Sequence, residues 1–189
     1  FFNMTVMAQL KEATWPAHRQ LEKRLATQER FTDMSRYQDH IAQLLAFYTE
    51  AETAWEEWLD PVLIDLPARR KAHLLKDDLH AIGGSFSSTA VVIPRVSDSA
   101  SALGGFYVLE GATLGGHYLL PLVQRNFGLS AAYGASYFAS YGSEARVMWQ
   151  RFGSAVEKHC QSTTTRKRAI TTATNTFLAL EHCLLGATT

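Results

Sequence analysis

The segment GGFYVLEGATLGGH, Gly104 to His117, constrains this chain more than any other part of it. Five glycines fall between Gly104 and Gly116. Each costs a helix about 1 kcal/mol relative to alanine. The flanking residues nevertheless keep a helical, strongly apolar pattern, so the segment is a helix whose bare face must be compensated from outside. Gly104, Gly111 and Gly115 fall on one stripe, and Gly105, Ala112 and Gly116 on the next. Such a face suits close packing against another helix, and it suits equally a flat ligand lying against backbone. The pattern alone leaves both open. A bend is expected at Gly115–Gly116. The spacing fits neither a dinucleotide nor a P-loop fingerprint, and no strand precedes it.

The rest of the chain reads as helices joined by short connectors. Val6, Leu10, Ala13, Ala17, Leu21 and Leu25 recur at steps of three and four, which predicts an amphipathic helix from Thr5 to about Leu25 with Pro16 inside it. Thr32 or Asp33 caps a second helix that runs to about Leu59, before Asp60-Pro61. A third opens at Leu66-Pro67 and stops near Gly83-Gly84. Ser85 to Ser97 reads as an extended connector, since Ala90 to Ile93 would be a lone strand. Ser97 or Asp98 caps the glycine-bearing helix, which Gly128 ends. A turn-rich stretch from Ser130 to Gly142, with one short helix, leads to a fifth long helix from Ser143 to about Cys160. A last helix runs from Thr163–Thr165 to near Leu185. One domain, residues 1–189, is expected.

Composition narrows the function classes. The 18 Lys and Arg balance the 18 Asp and Glu, which argues against nucleic acid as partner, because phosphate binding rests on clustered cations. No apolar run approaches the roughly 20 residues of a membrane span. The first residues lack a charged region followed by an apolar stretch and do not read as a signal peptide. Cys160 and Cys183 fit neither a disulfide framework nor a zinc spacing. A cytoplasmic protein is the simple expectation.

His18 is the first candidate for chemistry. It lies mid-helix, two turns from Lys11, and residues seven apart share a face within roughly 20 degrees. A neutral imidazole there can ligate a metal, and the lysine can meet an anionic ligand edge. Taken alone, a mid-helix histidine is more often a surface or core-edge residue. His40, His73, His80, His159 and His182 show no paired ligand spacing. Glu110 lies among apolar residues and needs a partner, and an anchoring role is expected. Arg146 and Arg151 read by default as a solvated face.

Two segments together resemble the haem oxygenase family. LKEATWPAHRQLE, residues 10–22, resembles its proximal-helix motif, in which the histidine is the axial iron ligand. FYVLEGATLGGH, residues 106–117, resembles its distal helix, in particular that of the bacterial branch. RKAHLLKDDL (70–79) and ATNTFLALE (173–181) are weaker echoes. The resemblance implies an all-α haem oxygenase-like fold with haem between a proximal N-terminal helix and a glycine-kinked distal helix. It implies iron on His18, a propionate on Lys11, and Arg146 or Arg151 as a second propionate partner. Gly111, Gly115 and Gly116 would line the catalytic face. Tyr107 would reach the propionate edge or the distal water. Ala112 stands where many relatives carry a water-organising aspartate, so backbone near Gly111 to Gly115, with His117 or Tyr107, is expected to take that role. Haem is both substrate and cofactor in the family reaction, which consumes O2 and electrons and yields biliverdin, CO and ferrous iron. Electrons would come from an external reductase or ferredoxin, since no flavin or iron–sulfur motif is present. A bacteriophytochrome is the implied acceptor of biliverdin. The alternative is a haem carrier or sensor that no longer turns over.

Overall fold

The computed structural model describes residues 4–86 and 90–186. Its regular structure is helical: α1 Val6–Ala26, α2 Met34–Leu59, α3 Leu66–Arg69, α4 Ala72–Ala81, α5 Ser99–Phe127, α6 Ala145–His159 and α7 Thr163–Leu185, with one 3₁₀ turn at Gly142–Glu144. The caps are local chemistry. Thr5, Asp33, Asp98 and Ser162 each accept a backbone N–H of the first turn with a side-chain oxygen. Ser162 and Thr165 form a reciprocal capping box. Gly128, with φ +68°, ends α5 in the left-handed conformation that favours glycine. A tertiary cap supplements α1: the Glu157 carboxylate of α6 accepts from Val6 N and Met7 N.

Two expectations are corrected. The single helix expected from Leu66 to Gly83 is broken. Arg70 is extended, at ψ 137°, and the Glu52 carboxylate of α2 accepts from Lys71 N and Ala72 N at the restart. In a continuous helix, residues 69 and 71 would point about 200° apart. The break instead allows both Arg69 and Lys71 to be buried beside Glu110. The short helix expected between Ser130 and Gly142 is also absent. That stretch is a series of turns opened by the Ser130–Tyr133 bridge, and the 3₁₀ turn begins only at its last residue. The connector after α4 is extended where described, and Trp55 Nε1 donates to Pro94 O to hold it. Ser87, Ser88 and Thr89, part of that expectation, lie outside the described residues.

One apolar cluster runs through the bundle, from Val6 and Leu10 through Trp55 and Phe106 to Leu180 and Leu184. The tightest crossing is α5 on α7, where a Cβ on Gly104 would fall 2.0 Å from the Ala169 carbonyl oxygen. The helix α1 packs on α7 and α6, and α5 packs on α7, α6 and α2, whereas α1 and α5 share no extended interface. The two helices singled out from the sequence therefore stand as walls over a floor made by α6 and α7.

His40 of α2 is buried in this core, and Arg30 approaches its Nδ1 at 3.2 Å while also donating to Gln43 Oε1 and Leu184 O. Burial, and then the Arg30 charge, lower the His40 pKa to about 3. Between that value and the ordinary 6.5, the unfolded chain binds the proton that the folded chain refuses. Stability therefore falls as pH drops from about 6.5 towards 3, with a slope approaching about 1.4 kcal/mol per pH unit from this residue. Urea unfolding at pH 7 and pH 4.5 should show a smaller acid loss for His40→Gln, whose amide oxygen can still accept from Arg30.

Candidate functional site

Tyr107 of α5 is buried, with the Thr14 hydroxyl of α1 beside its phenol. Burial raises the Tyr107 pKa, so the phenol stays protonated. The Thr14 hydroxyl donates to Leu10 O at 2.7 Å and keeps lone pairs for a partner. From this contact a stripe leaves along each helix. On α5, Gly111 and Gly115 follow Tyr107 one and two turns on, each rotated by about 40°. On α1, His18 follows Thr14 one turn on.

His18 is half-buried, with its side chain 41% exposed. Its Nε2 lies 3.4 Å from Glu22 Oε1. The ring packs edge-on against Phe177 of α7 at 5.7 Å, and Trp15 flanks it at the same distance. Ring orientation is thus set by a carboxylate and two aromatics, a common way of presenting an imidazole ligand. No other imidazole nitrogen contact of His18 occurs among the described residues. Those residues also contain no group of three or more His, Cys, Asp or Glu placed to hold an ion. A metal at His18 would take most of its donors from a bound group.

The glycines divide by task. Gly104 and Gly105 serve packing, because a Cβ there would meet Ala169 backbone or the Trp55 ring at 2.6 Å or less. Gly116 is buried against Phe138, at 3.2 Å from a would-be Cβ. Gly115 is different: it is exposed, and nothing lies within 4 Å of where its Cβ would be. Gly111 has only Trp149 of α6 near it, at an ordinary 3.9 Å. The packing reading therefore holds for Gly104 and Gly105, whereas Gly115 packs against nothing. The open positions are those on the Tyr107 side. The helix assignment continues through Gly115, Gly116 and Pro121.

The remaining sequence candidates separate. Half-buried Ala112 follows Gly111, and no carboxylate takes its place. His117 does not join the open stripe. It lies about 120° around α5 from Gly111, and its Nε2 makes a 3.0 Å hydrogen bond with Ser140 O. Lys11 is exposed on α1, on the His18 face. Arg146 is exposed on α6 one turn before Trp149, whereas Arg151 is about 200° away from Trp149.

Glu110 has the partner that its burial demands. Arg69 Nη1 donates to its Oε2 at 2.5 Å, Tyr141 OH donates to its Oε1 at 2.8 Å, and Lys71 Nζ stands 3.8 Å away over the Tyr141 ring. Burial raises the Glu110 pKa against the pull of Lys71 and Arg69, and burial lowers that of Lys71 to about 8. Arg69 also donates to Asp65 and to Met148 O of α6. One guanidinium thus holds the residue before Gly111 and the residue before Trp149.

Sequence reasoning missed Trp149, Phe177 and Thr14 as residues of this region, and Arg69 as its anchor. Thr14 and Phe177 sit inside the quoted segments 10–22 and 173–181. Trp149 flanks the apolar row Ala145, Met148, Phe152 and Val156 of α6, the one signal that would have brought it forward.

The family model described as Heme oxygenase matches residues 4–184. A protein described as a heme oxygenase from Xanthomonas campestris pv. campestris is 32% identical over 152 residues, covering 77% of this chain and 89% of that protein. Among solved structures, the NO- and CO-bound heme oxygenase of Neisseria meningitidis aligns with TM-score 0.87 at 18% identity, covering 96% of this chain and 91% of that one. Heme oxygenase-1 of the cyanobacterium Synechocystis, in complex with heme, aligns with TM-score 0.75 at 17% identity and the same coverages. At these identities the structural likeness speaks for the fold.

The division of the glycines predicts opposite stabilities. Gly104→Ala should destabilise the ligand-free protein by about 3 kcal/mol, the upper end of overpacking costs, because its Cβ meets backbone that cannot rotate away. Gly115→Ala should stabilise it by up to about 1 kcal/mol through helix propensity alone. Chemical denaturation of both variants checks the sign.

Proposed function

The chain belongs to the haem oxygenase family, and its function is oxidative haem degradation; on that premise we propose that haem lies between α1 and α5, with iron on His18 and the open backbone of Gly111 and Gly115 on the opposite face. The observation that carries this is the pair of stripes leaving the Tyr107–Thr14 contact. One holds an imidazole oriented by Glu22 and Phe177, and the other has no side chain at Gly115 and open space above it. A planar macrocycle needs those two features, one on each side.

When bound, haem supplies both the iron that activates O2 and the meso carbon that is oxidised, yielding biliverdin, CO and ferrous iron. The protein's share is placement. His18 holds the ligand position, and the Glu22 carboxylate 3.4 Å from its ring helps to orient it. Lys11 and Arg146 offer cations to the propionates, and Arg146 suits this better than Arg151 because it lies on Trp149's side of α6. The glycine stripe admits the macrocycle close to backbone and keeps strong acids away from the reacting face. With Ala112 at the family's aspartate position, ordered water falls to backbone carbonyls near Gly111, to the Tyr107 phenol and to the 117–140 corner. The Ser140 hydroxyl there is buried with no partner among the described residues, and His117 is bound to the Ser140 carbonyl; a buried hydroxyl of this kind is ordinarily satisfied by water. Electrons come from an external reductase or ferredoxin. The bacterial pattern of α5 supports a bacteriophytochrome as the acceptor of biliverdin. Among the described residues no helix is long and apolar enough to cross a membrane.

Ala112 favours one second reading, a haem carrier or sensor without turnover. Haem reconstitution followed by ascorbate discriminates. Loss of the Soret band with release of biliverdin supports the enzyme, whereas a stable reduced spectrum supports the carrier. His18→Ala should weaken haem binding by at least tenfold, about 1.4 kcal/mol, and abolish the axial-histidine signature in the resonance Raman spectrum. An unchanged spectrum would remove His18 from the site.

Gly115→Ala, although it stabilises the ligand-free protein, should slow single turnover by tenfold or more, about 1.4 kcal/mol of barrier. His117→Ala and Tyr107→Phe test the water assignment in the same assay. Normal rates in both would leave the backbone groups of Gly111 to Gly115 as the organisers.

A further inference from the structure

Trp149 of α6 stands beside Gly111 of α5. Its ring lies 5.5 Å from the Tyr107 ring and 5.9 Å from the Phe152 ring. Among the described residues it is also the only side chain within 4 Å of a would-be Cβ on Gly111. It is half-buried, so part of the indole remains available to a ligand on the Gly111 side. An aromatic ring of this size fills about 150–250 Å² of contact area, comparable to one edge of a macrocycle.

This wall is held unusually firmly. The same Arg69 guanidinium binds Glu110, next to Gly111, and the carbonyl of Met148, next to Trp149. Tyr107, against which the indole packs, is buried beside Thr14 of α1. A shift of Trp149 relative to Gly111 would break buried, charge-assisted hydrogen bonds. The backbone that carries Trp149 is therefore held against the glycine face, and its indole is packed between the Tyr107 and Phe152 rings.

We propose that Trp149 is the specificity-determining wall of the site: it sets the in-plane rotation of the bound macrocycle and so selects which meso edge lies under Gly111 and Gly115. This rests on the haem-binding reading above. His18 fixes the macrocycle at its centre but leaves rotation about the ligand axis free, and exposed Lys11 and Arg146 are long, flexible partners that tolerate several settings. An indole packed against Tyr107 and Phe152 beside Gly111 tolerates fewer. With the ring removed, the macrocycle gains room to turn, and a second meso position reaches the open backbone.

The test uses the haem-loaded protein in two readouts. Proton NMR of the cyanide-ligated ferric complex reports macrocycle seating through its methyl shifts, without turnover. Chromatography of the biliverdin isomers after single turnover with ascorbate reports the edge attacked. Trp149→Ala should redistribute the methyl shifts and change the isomer ratio by about threefold or more, and Trp149→Phe should move both in the same direction by less. If Trp149→Ala fails to fold, Trp149→Phe and Trp149→Leu carry the same test. Unchanged methyl shifts and isomer ratio in haem-loaded variants would overturn the assignment while leaving the haem site intact. Failure of the wild-type protein to bind haem would overturn the haem reading itself and this inference with it.

Discussion

The Arg69 guanidinium is the interaction on which the site's geometry rests. It is fully buried, and it bridges Asp65, Glu110 and the carbonyl of Met148, so α3, α5 and α6 meet at one group. Burying a charge is costly, and breaking such a pair costs far more than the pair itself contributes. The cluster is tolerable because its members satisfy one another. Lys71 donates to Arg69 O and lies over Tyr141, and Tyr141 completes the shell of Glu110. The interruption at Arg70 is the backbone condition for this. Without it, Arg69 and Lys71 could not both face inward, and Glu110 would lack half of its compensation.

Around that anchor the glycine-bearing helix does two jobs with one residue type. At Gly104 and Gly105 the missing side chains let α5 sink onto α7 and Trp55, and the lost helix propensity is offset by close packing. At Gly115 nothing offsets it. A residue that weakens its helix and packs against nothing is a local inconsistency of the kind expected where function rather than stability sets the choice. A ligand-binding face reconciles it, because backbone can approach a flat group only where no Cβ intervenes.

The open face and the histidine helix are related through a modest contact, Tyr107 to Thr14. It contributes less energy than the ion cluster, yet it fixes where the two walls begin. His117 shows why adjacency in sequence is a weak guide here. It is only two positions from Gly115 in the quoted motif, but on a helix that is a rotation of 200°, and its Nε2 bonds the Ser140 carbonyl.

Much of the architecture is written in short-range terms. Caps at Asp33, Asp98 and Ser162, the periodicity of α1, α2 and α7, and the terminator Gly128 depend on residues within one or two turns, so the sequence by itself determined the helices and their order. It also pointed, through segments 10–22 and 106–117, to the family. What only the tertiary structure decided are relations across long chain separations. These are the break at Arg70, made useful by a carboxylate 41 residues away and a carbonyl 79 residues away, and the assignment of each glycine to packing or to open space. The same holds for the placement of Trp149 beside Gly111. A glycine reads the same in sequence whether a backbone or nothing lies beyond it, because the atom that decides belongs to another helix.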